Sequence, residues 1–179
     1  MISLVLNALI GFIVLILQSS SLRGIAIGGI LPDLLLLLTV SAAMVQGERR
    51  GSLIGFVLGL LEDLLFFRVL GFYALIYMLI GFSVGYLSRN LSRSLLLLPV
   101  SFTAASSFAA GLVQFIFLRF LKGDTRFAYY LFHLILPETI YTLLLGVLLL
   151  PLLIKLNEFT DHVDEVNAQK RRMSRRIRS

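Results

Sequence analysis

Six long apolar segments, separated by short polar turns, fill nearly all of this 179-residue chain. They run over 2–19, 25–45, 52–67, 70–88, 95–121 and 129–155. A stretch of ~20 mostly apolar residues spans a bilayer core about 30 Å thick. The pattern therefore predicts an integral membrane protein. Backbone facing lipid must satisfy its own N–H and C=O groups, which selects helices or a closed barrel. The apolar/polar alternation of a barrel strand is missing, so the expected fold is an all-α bundle of six transmembrane helices. A mean hydropathy of +0.94 and 58% hydrophobic residues agree.

The length leaves room for one bundle over 1–155 and a polar tail over 156–179. Zero cysteines exclude a disulfide framework, a thiolate metal site and a cysteine nucleophile. Two histidines, His133 and His162, argue against a histidine metal cluster. The pI near 10.1 does not point to nucleic acid, because the basic residues gather at the ends of the apolar segments. There they set topology and attract anionic lipid. No basic residue precedes the first apolar run, so that run is expected to be an uncleaved helix rather than a signal peptide. P-loop, H-E-x-x-H and dinucleotide fingerprints are all missing. The string GFSVG at 81–85 matches the serine-hydrolase elbow in letters only. It sits in mid-helix, and neither histidine is expected near Ser83. The chain is expected to be neither an enzyme nor a cofactor carrier.

An even number of spans puts both ends of the bundle on one side. The opposite side holds Arg23, Arg68, Arg119, Lys122 and Arg126, out of 16 Lys and Arg. The remaining basic residues lie on the side of the termini, and the tail contributes most of them. The positive-inside rule makes that side cytoplasmic.

Three features stand out within the spans. Gly51, Gly55 and Gly59 recur every four residues along the third span and share one helix face. In lipid such a face lets another backbone come close, either from the same bundle or from a partner's helix. Gly81 and Gly85 repeat that spacing, and AASSFAAG at 104–111 adds small residues to the fifth span. Asp33, Glu62, Asp63 and Glu138 place carboxylates in apolar spans. Such groups face the bundle interior, pair, or sit at an interface. They form either a binding cluster near the outer side or a set of interface charges paired with arginines. Angular position along the third span puts Glu62 nearer the glycine face than Asp63. Pro32 and Pro137 each precede one of these carboxylates, and Pro32 is expected to start a helix.

In the tail, Leu156, Phe159, Val163, Val166, Met173 and Ile177 recur at helical spacing. Acidic residues come first, followed by Lys170, Arg171, Arg172, Arg175, Arg176 and Arg178. The segment reads either as an amphipathic helix on anionic lipid or on a cytoplasmic partner, or as a topology signal.

The strings PDLLLLLTV at 32–40, GFVLGLLEDLL at 55–65, LGFYALIY at 70–77 and PETIY at 137–141 resemble the rod shape-determining protein MreD family. The resemblance extends over essentially the whole chain. By motif it carries over Pro32, Asp33, Gly59, Asp63, Gly71 and Glu138, and it selects Asp63 over Glu62. Family members often have an asparagine just after the tyrosine of the last motif, where this chain has Thr142. The resemblance implies a multi-pass protein of the bacterial inner membrane, acting in the cell-elongation machinery without catalysis. It implies a bitopic MreC-type partner, with an MreB-type filament, a RodA-type glycosyltransferase and a penicillin-binding transpeptidase as complex members. It also implies a fold similar to the substrate-binding subunits of energy-coupling-factor vitamin transporters. Two function classes stay open: a membrane scaffold that supports peptidoglycan synthesis and cell shape, or a small-molecule binding subunit of a transporter.

Overall fold

The computed structural model describes residues 2–20, 30–66, 70–89, 97–120, 123 and 126–178, with side chains followed as far as Val163. It is helical throughout: α1 (Ile2–Ser20), α2 (Leu34–Phe66), α3 (Phe72–Ser88), α4 (Leu97–Leu118), α5 (Phe127–Tyr130), a π-helical turn (Leu131–Ile135) and α6 (Leu136–Arg178). Among the described residues two helices, Leu98–Phe117 and Phe127–Val163, are long and apolar enough to cross a membrane, and Leu4–Ile16 and Phe72–Ser88 are shorter apolar helices.

The polar turn expected over 46–51 is a single break. Gly47 alone leaves the helical region, at φ 80°, and divides α2 into halves 34–46 and 48–66. Glycine reaches positive φ without a Cβ clash, so the helix resumes at once. The second apolar segment was expected to be helical from residue 25, but the helix begins at Leu34 and residues 31–33 carry no regular structure. Pro32 therefore does not start the helix. The Asp33 carboxylate accepts the Leu36 N–H at 2.8 Å and acts as the N-cap. In the first turn of α6, Pro137 has no N–H to give to the carbonyl four residues back. The chain absorbs this in the π turn, where the Leu136 N–H reaches the Leu131 carbonyl. No break separates bundle from tail at residue 155, since α6 continues to Arg178.

The second half of α2 packs against α3 backbone to backbone. A Cβ on Gly55 would lie 2.2 Å from the Tyr77 carbonyl oxygen, and one on Gly59 would lie 2.3 Å from that of Tyr73. A Cβ on Gly81 would meet the Gly51 oxygen at 2.3 Å. Each four-residue step up α2 matches a four-residue step down α3, which is an antiparallel pair held in one register. The core against this pair comes from the first half of α2, where Leu35, Leu36, Leu38 and Val40 are fully enclosed. Helix α1 lies over α2 at Gly11, whose missing side chain makes room for Leu58. Helix α4 meets the last helix through Gly111 against Ile135 and Ser107 against Thr139.

The steric consequence is specific. Gly55→Leu drives a side chain into a carbonyl that cannot move without displacing α3. Overpacking usually costs about 1–3 kcal/mol, and a backbone neighbour puts this site at or beyond the top of that range. Leu53→Ala, on the exposed face of the same helix, should cost little. Thermal unfolding in detergent should show a large drop for the first variant and nearly none for the second.

Candidate functional site

Two clusters of buried, hydrogen-bonded side chains lie at opposite ends of the bundle. At the end where α2 finishes and α3 starts, Asp63 is only 1% exposed. Its carboxylate accepts the backbone N–H groups of Gly71 at 2.9 Å, Tyr73 at 3.1 Å and Ala74 at 3.2 Å. These are the orphan donors at the start of α3, and its own N-cap residue, Gly71 at φ 90°, has no side chain to serve them. Asp63 is thus a cap supplied by the neighbouring helix. It stands four residues past Gly59 and extends the glycine series toward α3.

Beside it, the Tyr77 hydroxyl lies 2.8 and 2.7 Å from the two Asp33 oxygens and 2.7 Å from Glu62 Oε2. One buried phenol O–H thus sits between two carboxyl groups from opposite ends of α2. The Asp33 N–H donates to Thr142 Oγ1 at 3.0 Å, which ties this cluster to α6. Thr142 is fully enclosed, so this contact is a buried one. Glu138 lies in the first turn of α6 and is partly buried.

At the opposite end, Asn157 of α6 is fully buried. Its Oδ1 accepts from Asn7 Nδ2 and Gln46 Nε2, each at 3.0 Å. Its Nδ2 donates to Ser41 Oγ at 3.2 Å and to the Leu153 carbonyl at 3.0 Å. One amide therefore joins α1, α2 and α6. Beyond it, Arg50 pairs with Asp161. None of these four residues, Asn7, Ser41, Gln46 and Asn157, was singled out from the sequence. A visible signal was Asn7, a lone amide within an apolar helix, which in lipid must find a partner.

Gly55 and Gly59 face α3, and Gly51 packs between Ala43 in the first half of α2 and Gly81 of α3, so the glycine face is filled from within the chain. Glu62 and Asp63 both turn toward α3, Asp63 to its backbone and Glu62 to Tyr77. Gly81 and Gly85 of the serine-hydrolase-like string are packing residues, while Ser83 is exposed. His133 stacks on Tyr129, with ring centroids 4.5 Å apart. Among the described residues no three His, Asp or Glu side chains converge to hold a metal. Side chains from Lys170 to Arg178 lie outside the described residues, although the helix itself continues to Arg178.

The family model of the rod shape-determining protein MreD matches residues 1–160. The chain belongs to the MreD family. It is a membrane protein with a role in rod shape determination, and the match covers every residue of both polar clusters. No curated protein and no solved structure matches the chain significantly.

If Asp63 acts as the cap of α3, its removal leaves three buried N–H groups without their acceptor. An N-cap deletion costs about 0.5–2 kcal/mol. Asp63→Ala should fall at the upper end, because all three donors share one carboxylate. Asp63→Asn keeps one acceptor oxygen and should recover part of the loss. Thermal unfolding of the two variants in detergent checks this order.

Proposed function

We propose that this chain is a non-catalytic membrane scaffold of the cell-elongation complex, holding an MreC-type single-span partner. The observation that carries the proposal is the family match over residues 1–160. Through that partner the chain would hold a RodA-type glycosyltransferase, a penicillin-binding transpeptidase and an MreB-type filament in one complex, and so support peptidoglycan synthesis. In this reading all six apolar segments cross the bacterial inner membrane, and both termini are cytoplasmic. The bundle shares its layout with the substrate-binding subunits of energy-coupling-factor transporters.

The location of the polar groups supports the scaffold reading. Asp33, Asp63, Tyr77 and Asn157 engage partners within the chain. The outward faces of α2 and α3 are apolar, with Leu53, Phe56, Leu75, Leu79 and Phe82 exposed. Gly51, Gly55, Gly59 and Asp63 then serve the partner indirectly, by fixing the α2–α3 pair whose outer face it meets. Glu138 sets docking depth through a polar contact near the outer side. The basic residues Lys170, Arg171, Arg172, Arg175, Arg176 and Arg178 hold the tail on anionic lipid, at about 1 kcal/mol for each charge near the surface.

Co-expression with the MreC-type partner tests the proposal. Photo-crosslinkers at Phe56 or Leu79 should capture the partner, and Glu138→Ala should reduce its co-purification severalfold. Failure of both would overturn the scaffold assignment. Sidedness is tested separately: Ser92→Cys should label from the cytoplasm and Asp124→Cys from outside, and the reverse pattern would invert the topology.

A further inference from the structure

The Gly47 break opens a cleft of about 390 Å³ between the bend of α2 and the last turn of α3. Its lining joins apolar Met44 and Val45 to Gln46, Glu48, Arg49 and Arg89. Three features give it a chemistry. Arg49 and Arg89 both line the cleft, and the Arg89 side chain is 72% exposed. Its contact with Glu48, at 3.8 Å, is longer than a hydrogen bond and leaves its N–H donors available. Glu48 adds a carboxylate acceptor at the same cleft, its side chain 25% exposed. A molecule filling this cleft must offer an anion to the arginines, an O–H donor to Glu48, and an apolar portion to Met44 and Val45.

We propose that the cleft at the Gly47 break binds the headgroup of an anionic phospholipid of the phosphatidylglycerol class. The phosphodiester meets Arg49 and Arg89 in charge-assisted hydrogen bonds. The glycerol hydroxyls donate to Glu48, and the acyl chains leave along the apolar wall. A choline headgroup has no hydroxyl to donate and no net charge. An acidic peptide would satisfy the arginines but has no use for the apolar wall beside them. The site is separate from the tail, which attracts an anionic surface through charge alone. The choice of the inner leaflet rests on the orientation proposed above, and Ser92→Cys labelling checks that independently of binding.

The test uses the purified full chain in mild detergent, supplied with equal amounts of phosphatidylglycerol and phosphatidylcholine and read by native mass spectrometry. The wild-type chain should retain at least one phosphatidylglycerol in clear preference. The variant carrying Arg49→Gln and Arg89→Gln should lose that preference by about tenfold or more. A chain with Arg171, Arg172, Arg175 and Arg176 all changed to Gln should keep it. If the double variant unfolds, Arg49→Gln alone, at an exposed residue, still shows a reduced preference. Equal retention of both lipids by the wild type would overturn the proposal. So would unchanged preference in a folded double variant. Displacement of the lipid by a soluble acidic peptide at equal concentration would assign the cleft to a protein partner instead.

Discussion

The backbone contact between the second half of α2 and α3 is the constraint from which the rest of the bundle follows. In lipid, apolar side chains gain little by leaving their surroundings for each other, so helices associate through close van der Waals contact and hydrogen bonds. Gly51, Gly55 and Gly59 supply the close contact, because nothing on them holds α3 away. That closeness positions the polar chemistry. Asp63 reaches the first N–H groups of α3 only because the two axes lie near each other, and Tyr77 presents its hydroxyl between Asp33 and Glu62 for the same reason. A side chain at any of the three glycines would separate the helices and pull the Asp63 carboxylate off its donors. The steric and the electrostatic parts of the site therefore stand or fall together.

The two polar clusters act as pins at opposite ends of the bundle. Measured interhelical hydrogen bonds in membranes average only about 0.6 kcal/mol, so neither cluster holds the fold by energy alone. Their effect is on register. Asn157 accepts and donates with a fixed geometry, and sliding α6 by one turn would leave buried amides from three helices unmatched. At the other end, the Asp33 N–H and Thr142 fix the same helix a second time. A long helix pinned at two depths has one position along its axis. Between the pins the contacts are mostly apolar and would tolerate sliding.

Much of this was legible in the sequence, and the limits have physical causes. The helical class followed from hydropathy, because lipid leaves so few alternatives for the backbone. The glycine face followed from a four-residue repeat. Its occupant did not, since a groove in one helix says nothing about which other helix fills it. Asp63 stood out as a charge among leucines, but its task depended on Gly71 and the start of α3, eight residues further along. The angular estimate favoured Glu62 because it assumed a straight, isolated helix. In the structure α3 continues past Gly59 along the drifting face, and both carboxylates reach it. Gln46 and Asn157 stayed unread because they sit at the ends of apolar runs, where an amide ordinarily signals only the edge of the membrane.

A protein that directs its polar groups inward leaves an apolar exterior whose shape is its main means of recognition. Leu75, Leu79, Phe82 and Tyr86 form one exposed stripe on α3, and Phe56 and Leu64 stand on the adjoining face of α2. Lipid will cover such a surface as readily as a partner will, so its hydrophobicity cannot select a partner. Selection then has to come from the fit of side chains on a rigid backbone. Rigidity is what the glycine contact and the two polar pins provide. Softening the α2–α3 pair would leave every exposed side chain in place and still change the surface that a partner meets.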